Sequence, residues 1–159
     1  MLTTRGLTAT DIDLVCRHRE EMFRASNAPG RTEEVLRTMT SHFREWLTPR
    51  LADGSYFGFI LEDEGNPVAG IGLMLIDWPP HPSHPSQDKR GYVLNVFVEP
   101  DYRGRGLGKF LMDAGEAELT RRGVLFSVLH ATRMGIPLYE RLGWSRTSEM
   151  SKSLECADS

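Results

Sequence analysis

Cysteine is scarce in this sequence of 159 residues, which contains Cys16 and Cys156 and no other thiol. Two cysteines so far apart form neither a disulfide framework nor a metal knuckle, so we expect a reducing compartment. No window approaches the run of about 18 apolar residues that a membrane-spanning helix needs. The first residues also lack the apolar core of a secretory leader. We therefore expect a cytoplasmic protein with no membrane partner.

A basic excess is also missing, because 22 acidic residues outnumber 19 lysines and arginines and leave a formal charge of −3. A general nucleic-acid-binding protein needs surplus cations to neutralise phosphates, so we expect no nucleic-acid partner. His81 and His84 have an H-x-x-H spacing without a third ligand. We expect them in an exposed loop and predict no metal site.

The composition is typical of one folded domain. Hydrophobic residues make up 40% of the chain and charged residues 26%, which are ordinary values for a globular protein. The length is enough for one domain with its own core. No internal repeat or linker divides the chain. We therefore expect a single domain over residues 1–159, with a polar tail from about residue 152 to 159.

The hydrophobic pattern predicts an α/β domain. Apolar residues at helical spacing predict helices at about 11–26, from Thr32 to the segment 49–54, from residue 107 onward, and at about 134–142. Runs rich in β-branched and aromatic residues predict strands at 2–7, 56–61, 68–76, 91–98, 124–131 and near 146–154. Thr10-x-x-Asp13 resembles a capping box for the first helix. Four prolines exclude regular structure from the connection 77–90.

The sequence Arg103-Gly-Arg-Gly-Leu-Gly108 lies where a predicted buried strand gives way to a predicted amphipathic helix. Glycine lets the backbone bend, and the first N–H groups of a helix have no internal acceptor. Those donors and the positive end of the helix dipole form an anion site, which Arg103, Arg105 and Lys109 reinforce. The spacing fits neither a nucleoside-triphosphate loop nor a G-x-G-x-x-G dinucleotide fingerprint. Kinase-like and dehydrogenase chemistry are therefore unsupported.

The flanks of this loop carry a resemblance to a known family. Val96-Phe97-Val98 precedes the loop, and Leu138-Tyr139 and Gly143-Trp144 follow a later predicted strand. Together these elements resemble the GNAT superfamily of acetyl-CoA-dependent N-acetyltransferases, strongly over residues 90–155 and weakly elsewhere. The resemblance implies the GNAT fold, a mixed and mostly antiparallel sheet with helices on both faces. It also implies that two parallel strands splay apart at the coenzyme site.

The resemblance further implies which residues bind acetyl-CoA. The backbone of the strand would hold the pantetheine arm and the glycine loop the pyrophosphate, through Val96, Phe97, Val98, Arg103, Gly104, Arg105, Gly106, Leu107, Gly108 and Lys109. Many family members have Asn seven residues before the Leu-Tyr tyrosine, where this chain has Thr132. Threonine keeps a hydroxyl but lacks the paired donor and acceptor of an amide. Thr132 is thus a weaker candidate for a coenzyme contact.

By the same resemblance, Tyr139 is the proton donor to the departing thiolate. The alternative is a tyrosine whose ring packs against the sheet. The general base stays open among Glu99, His130 and ordered water. A solvated Glu99 and a packing His130 are the favoured interpretations. Asn95 can only hold an acceptor, since an amide does not take up a proton.

The resemblance predicts an enzyme that moves the acetyl group of acetyl-CoA directly to an amine, in a small molecule or a peptide. By analogy, the acceptor pocket would use the loop 77–90 and the residues His18, Arg19, Glu20, Met22 and Phe23. Solvated helix faces and a variable loop explain the same residues equally well. The alternative functions are a non-catalytic acyl-CoA-binding regulatory module and an O- or longer-chain acyltransferase. The oligomeric state stays open, with a homodimer as one option.

Overall fold

Five strands form one mixed sheet in the order β1-β2-β3-β4-β5. The computed structural model describes residues 1–154. Its strands are β1 (Leu2–Gly6), β2 (Tyr56–Asp63), β3 (Asn66–Asp77), β4 (Lys89–Val98) and β5 (Ser127–Leu129). The first four strands pair antiparallel with their neighbours, and β4 pairs parallel with β5. The predicted mixed, mostly antiparallel sheet is confirmed.

In the described part of the chain, four α-helices cover the sheet, namely α1 (Ile12–Ser26), α2 (Glu33–Asp53), α3 (Leu107–Arg121) and α4 (Ile136–Arg141). The hydroxyl of Thr32 caps α2 by accepting a hydrogen bond from the Val35 N–H at 3.2 Å. The capping box predicted at Thr10 and Asp13 is wrong by two residues. It joins Thr8 and Asp11 and begins a short 3₁₀ turn at Ala9–Asp11. Two hydrogen bonds from Arg5, at 2.8 and 2.9 Å, hold the Asp11 carboxylate there.

The core has two parts, one on each face of the sheet. On one face Leu111 and Met112 of α3 pack against the sheet among buried aliphatic side chains such as Ile71, Leu73 and Val93. On the other face α1 and α2 bury Cys16, Phe43 and Leu47 around Tyr56. Helices on both faces of the sheet are therefore confirmed. Cys156 lies outside the described residues.

A bulge in β4 separates the last two strands. Gly72 of β3 pairs with Leu94, whereas Gly70 pairs with Phe97, so β4 contains an extra residue over this stretch. Asn95 takes up the distortion with a φ of 55°, in the left-handed region that asparagine tolerates better than most residues. Pairing between β4 and β5 ends at Val93 and Leu129. Beyond that point the parallel strands diverge, as the family resemblance implies.

The predicted strand near 146–154 is wrong, because no ladder includes this segment within the described residues. All residues from 145 to 154 are exposed. Met150 and Leu154 are the apolar residues of the segment, so a strand there would bury little surface to offset its ordering. The described part of the predicted polar tail, residues 152–154, has no regular structure. Among the described helices, none combines the length and apolarity needed to cross a membrane.

Candidate active site

A cleft of about 1120 Å³ opens where β4 and β5 diverge. Its walls come from α1, α2, the bulged part of β4 and the segment that follows β5. Among the residues predicted to act on acetyl-CoA, it contains Val96, Thr132 and Tyr139. The glycine loop lies outside this lining, at the start of α3. The structure thus brings the predicted proton donor and the predicted pantetheine strand to one cavity.

The glycine loop leaves backbone donors free at the start of α3. The first helical hydrogen bond runs from the Phe110 N–H to the Gly106 carbonyl at 3.1 Å, so the three preceding N–H groups have no acceptor within the helix. Gly104 and Gly106 have φ values of 76° and 78°, in the left-handed region. A Cβ atom at either position would meet nothing within 4 Å. The loop is therefore open to a ligand, and glycine is favoured there by conformation.

Two arginines of the loop are free of carboxylates within the described residues. The Arg103 Nε donates to the Val98 carbonyl at 3.1 Å, and the Arg105 Nη2 donates to the Asp101 carbonyl at 3.0 Å. Lys109 instead forms a salt bridge with Asp113 at 2.5 Å. All three cations are exposed or nearly so. Arg103 and Arg105 thus retain unneutralised charge beside the free N–H groups of α3.

Three predicted coenzyme residues have clear packing roles. The Phe97 side chain is buried and stacks on His18 with ring centroids 4.6 Å apart, which leaves its backbone for any ligand. Leu107 is buried in the core beneath α3. A Cβ atom on Gly108 would lie 3.1 Å from the Leu138 Cδ2. Glycine at 108 therefore allows α3 to approach α4, the helix that contains Tyr139.

Tyr139 is half-buried in the wall of the cleft. Burial raises the pKa of its hydroxyl above the ordinary value of 10.0, so the group is protonated at neutral pH. Within residues 1–154 its hydroxyl makes no hydrogen bond, whereas the Thr132 Oγ1 accepts one from the Gly135 N–H at 3.3 Å. Thr132 thus helps to form the turn that begins α4. Tyr139 is left with a proton that it can donate to a ligand.

Comparison with known proteins identifies the family. The family model described as "Acetyltransferase (GNAT) family" matches residues 17–144, which is most of the chain. The chain belongs to the GNAT acetyltransferase family. A GCN5-related N-acetyltransferase from Ralstonia eutropha JMP134 is 58% identical to this GNAT chain, with a TM-score of 0.93 and coverage of 97% of this chain and 99% of that one. The solved neighbour has the same fold over essentially its whole length.

Other relatives of this GNAT chain are more distant. A predicted acetyltransferase of Clostridium acetobutylicum, solved with acetyl-CoA, shares the fold with a TM-score of 0.84, 22% identity and coverage of 97% and 96% of the two chains. The mycothiol acetyltransferase of Geodermatophilus obscurus is 36% identical over 56% of this chain and 29% of its own length. That of Arthrobacter sp. is 33% identical over 65% of this chain and 32% of its own. The chain therefore spans about a third of the length of these curated relatives.

The two side-chain candidates for the general base, Glu99 and His130, and the candidate acceptor contact Asn95 have different surroundings in this GNAT domain. Glu99 forms a salt bridge with Arg17 and is not in the cleft lining. Asn95 is buried and both ends of its amide are hydrogen-bonded. His130 lines the cleft, and its side chain is 68% exposed, so the favoured interpretation as a packing histidine is wrong.

His130 connects a cleft tyrosine to a carboxylate. Its Nε2 lies 2.5 Å from the Glu149 Oε2, and its Nδ1 lies 2.5 Å from the Tyr92 hydroxyl. A carboxylate only accepts, so in the neutral form of the ring Nε2 carries the proton and Nδ1 can accept a hydrogen bond from the Tyr92 hydroxyl. The acceptor nitrogen of His130 thus faces the Tyr92 hydroxyl in the cleft wall.

The acceptor residues suggested by analogy divide into two groups. Arg19, Met22 and Phe23 line the cleft, whereas His18 and Glu20 are not part of its lining. His18 is buried, and burial together with the nearby Arg17 lowers its pKa from 6.5 to about 4. The connection 77–90 is absent from the lining of this cleft and borders a second groove. That groove shares Tyr92, His130 and Tyr139 with the cleft.

The prediction of an exposed H-x-x-H pair is wrong for His84, which is fully buried. Its Nδ1 donates to the Gln87 carbonyl at 3.0 Å, and its Nε2 accepts from the Arg90 guanidinium at 3.0 Å. Both ring nitrogens therefore form hydrogen bonds within the proline-rich connection 77–90. Within residues 1–154, no three His, Cys, Asp or Glu side chains gather where a metal ion could bind.

Sequence analysis missed several residues of the cleft, among them Arg31, His42, Trp46 and Tyr92. Tyr92 alternates with the buried Gly91 and Val93 on β4, which indicated a strand position but not a functional one. Trp46 belongs to the apolar stripe of α2 and was accounted for as core. A residue whose spacing fits the apolar side of a strand or helix is interpreted as core, even when its side chain lines a cleft. The sequence alone does not distinguish the two positions.

Proposed function

We propose that this chain transfers the acetyl group of acetyl-CoA to the amine of an acceptor. The observation that carries the proposal is the divergence of β4 and β5 beside Tyr139, which opens a cleft along an unpaired edge of β4. Residues 94–98 of β4 have no strand partner on the β5 side, so the backbone groups that face this side are available to an extended arm. The Val98 carbonyl already accepts from the Arg103 Nε. The relative from Clostridium acetobutylicum, solved with acetyl-CoA, has the same fold.

The coenzyme binds, in this proposal, across the start of α3 and along β4. The free N–H groups of residues 107–109, with Arg103 and Arg105, bind the pyrophosphate. Gly104 and Gly106 keep that surface open, since a Cβ atom at either meets no neighbour. The backbone of residues 96–98 holds the pantetheine arm, and Thr132 borders its path in the cleft.

The reaction forms a bond between the acceptor nitrogen and the acetyl carbon and breaks the bond from that carbon to sulfur. The amine loses a proton and the leaving thiolate gains one. An alkylammonium has a pKa near 10.4, so at pH 7 about one molecule in 10³ is the nucleophilic free amine. Tyr139, which burial keeps protonated, donates to the thiolate.

We infer that the proton lost by the amine passes through Tyr92 to His130. Of the proton acceptors weighed, His130 is the one that lines the cleft, and its Nδ1 is already the acceptor of the Tyr92 hydroxyl. Tyr92 takes the proton of the amine while it gives its own to Nδ1. Glu149 at Nε2 then stabilises the charged ring.

This route is tested with Tyr92→Phe, His130→Gln and the double variant. We expect each single change to lower kcat by about 10²-fold, and the double variant to lose little more, because the two groups act in series. Losses that multiply in the double variant would show that the residues act separately, and an unchanged kcat in His130→Gln would exclude this route.

Acetyl transfer itself is tested by incubating the protein with acetyl-CoA and a broad panel of amines. Free coenzyme thiol and the mass of the acetylated amine are measured together. We expect both products in equal amounts. Tight acetyl-CoA binding by calorimetry with no acetylated product would favour the acyl-CoA-binding module, and acetylated alcohols would favour an O-acyltransferase. The cytoplasmic location stays a prediction from the sequence, and the oligomeric state stays open, with a homodimer as one option.

A further inference from the structure

Arg19 holds a positive charge in the cleft without a carboxylate beside it. Its Nη1 donates to the Asn95 Oδ1 at 2.8 Å, and its Nε is buried with no hydrogen-bond partner within the described residues. The guanidinium lies 4.9 Å from the ring centre of Phe23 and 4.8 Å from that of Phe43. Burial lowers the pKa of Arg19, which shows that its surroundings disfavour the charge.

Three other arginines of α1 and α2 have carboxylate partners that Arg19 lacks. Arg17 pairs with Glu99, Arg24 with Glu33, and Arg44 with Asp13. Those partners are on the protein surface, where a salt bridge contributes little. Arg19 is more buried than they are and has no such partner in the part of the chain that the structure describes. A buried charge is costly unless an opposite charge meets it.

The lining of the cleft is cationic as a whole. Arg19, Arg31 and Arg133 contribute its positive charge, and no Asp or Glu occurs among its described lining residues. The entire chain carries 22 acidic residues and a formal charge of −3. The positive charge of the cleft is therefore local. It cannot be a consequence of a basic protein surface.

Arg19 and Arg31 converge on one aromatic ring. The Arg31 guanidinium lies 4.8 Å from the ring centre of Phe23, the same ring that Arg19 contacts. Phe43 and Trp46 continue this apolar wall along α2. The cleft thus has two guanidinium groups beside an apolar, aromatic surface. A guanidinium presents paired N–H donors that match a carboxylate or a phosphate.

We propose that the acceptor is an amine that also carries an oxyanion, a carboxylate or a phosphate, and that Arg19 binds this anion. The inference rests on the proposed acetyl transfer in the same cleft and names the chemical class of its acceptor. Arg31, whose guanidinium contacts the same Phe23 ring, assists. The amine of the acceptor then reaches Tyr92 and Tyr139, which line the same cavity.

Matched pairs of amines test the proposal. The carboxylate pair is phenylalanine and phenylethylamine, and the phosphate pair is glucosamine 6-phosphate and glucosamine. We expect kcat/KM to be at least about 10-fold higher for the anionic member of one pair, which also identifies the anion. In Arg19→Gln this preference disappears. Arg37→Gln, an exposed arginine of α2 outside the cleft, keeps it. Equal kcat/KM within both pairs would overturn the proposal.

A binding experiment separates failure of this inference from failure of the proposed function. With coenzyme A saturating, calorimetry compares N-acetylphenylalanine with its amide, and N-acetylglucosamine 6-phosphate with N-acetylglucosamine. Tighter binding of one anionic member, lost in Arg19→Gln, supports the anion site even if no amine is acetylated. Equal binding within both pairs contradicts it. Weaker acetyl-CoA binding in Arg19→Gln would also contradict it, since the coenzyme would then be the partner of Arg19.

Discussion

Loss of the Tyr139 hydroxyl should lower the rate of acetyl transfer without weakening the binding of acetyl-CoA. Removing it in Tyr139→Phe keeps the half-buried ring and takes away one proton donor. We expect kcat to fall by about 10²-fold or more, because a general acid typically contributes that much. The affinity for acetyl-CoA should change by less than about 2-fold. Steady-state thiol release and calorimetry measure the two quantities.

Tyr102→Phe is the matched control for this change, since it also deletes one phenolic hydroxyl. That hydroxyl donates to the Asp63 Oδ2 at 2.8 Å, away from the cleft. We expect Tyr102→Phe to retain kcat. Full turnover in Tyr139→Phe, under conditions where chemistry limits the rate, would exclude Tyr139 as the acid.

His18 predicts a pH dependence of stability. Its pKa falls from 6.5 to about 4 in the folded protein because the ring is buried next to Phe97 and near Arg17. The unfolded chain therefore takes up a proton below pH 6.5 that the folded protein resists until about pH 4. The contribution of His18 to the free energy of unfolding is therefore largest above pH 6.5. About 2 kcal/mol of that free energy is lost between pH 7 and pH 5.

Urea denaturation at pH 7 and pH 5 measures this loss. His18→Leu removes the titrating ring, so the difference in unfolding free energy between the two pH values should shrink by about 2 kcal/mol. His42→Gln, which changes an exposed histidine, should leave the difference as it is. An identical pH dependence in His18→Leu and the wild type would show that another group is responsible.

Among the elements of the fold, the start of α3 allows separate tests of the backbone conformation of Gly106 and of the charge next to the helix N-terminus. Gly106 precedes the helix with a φ of 78°, a conformation that asparagine and aspartate tolerate better than other side chains. Gly106→Asn and Gly106→Asp have nearly the same shape. The carboxylate favours the helix dipole but repels a pyrophosphate at the same N–H groups.

We therefore expect opposite effects from this pair of variants. Gly106→Asp should be at least as stable as Gly106→Asn by urea denaturation, yet bind acetyl-CoA about 10-fold or more weakly by calorimetry. Equal affinities in the two variants would place the pyrophosphate elsewhere.

The elements that sequence analysis predicted correctly are those with a strong local pattern. The runs at 56–61, 68–76 and 91–98 are continuous enough in apolar residues to predict strands, and the structure extends each of them. The segment 146–154 has no comparable pattern, and its predicted strand is wrong. The buried His84 could not be predicted either. Its burial depends on contacts with Arg90 and Phe126, which the spacing of residues in the sequence does not reveal.

At the scale of the whole molecule, the site is assembled from distant parts of the chain. Arg19 lies on α1, Trp46 on α2, Tyr92 on β4, and His130 directly after β5. The glycine loop and Tyr139 could be proposed as site residues in advance because the family resemblance depends on short contiguous motifs. The acceptor side has no such motif. Its cationic character appears only when the fold removes acidic residues from one cavity of an acidic chain.

The bulge at Asn95 connects the fold to this site. The side chain of Asn95 accepts from Arg19 at 2.8 Å and donates to the buried Tyr56 hydroxyl at 2.8 Å. One residue thus lies at the bulge in β4 and also orients Arg19, the arginine that we propose binds the acceptor. The donor and acceptor halves of the proposed reaction are coupled through the same distortion of the sheet.

A crystal structure with coenzyme A and a bound acetylated product would test the central claim most directly. The account predicts the pyrophosphate within hydrogen-bond distance of the N–H groups at 107–109, with the pantetheine arm along residues 96–98 of β4. The coenzyme sulfur should lie within about 3.5 Å of the Tyr139 hydroxyl. A coenzyme bound outside the opening between β4 and β5, or a sulfur remote from Tyr139, would contradict it.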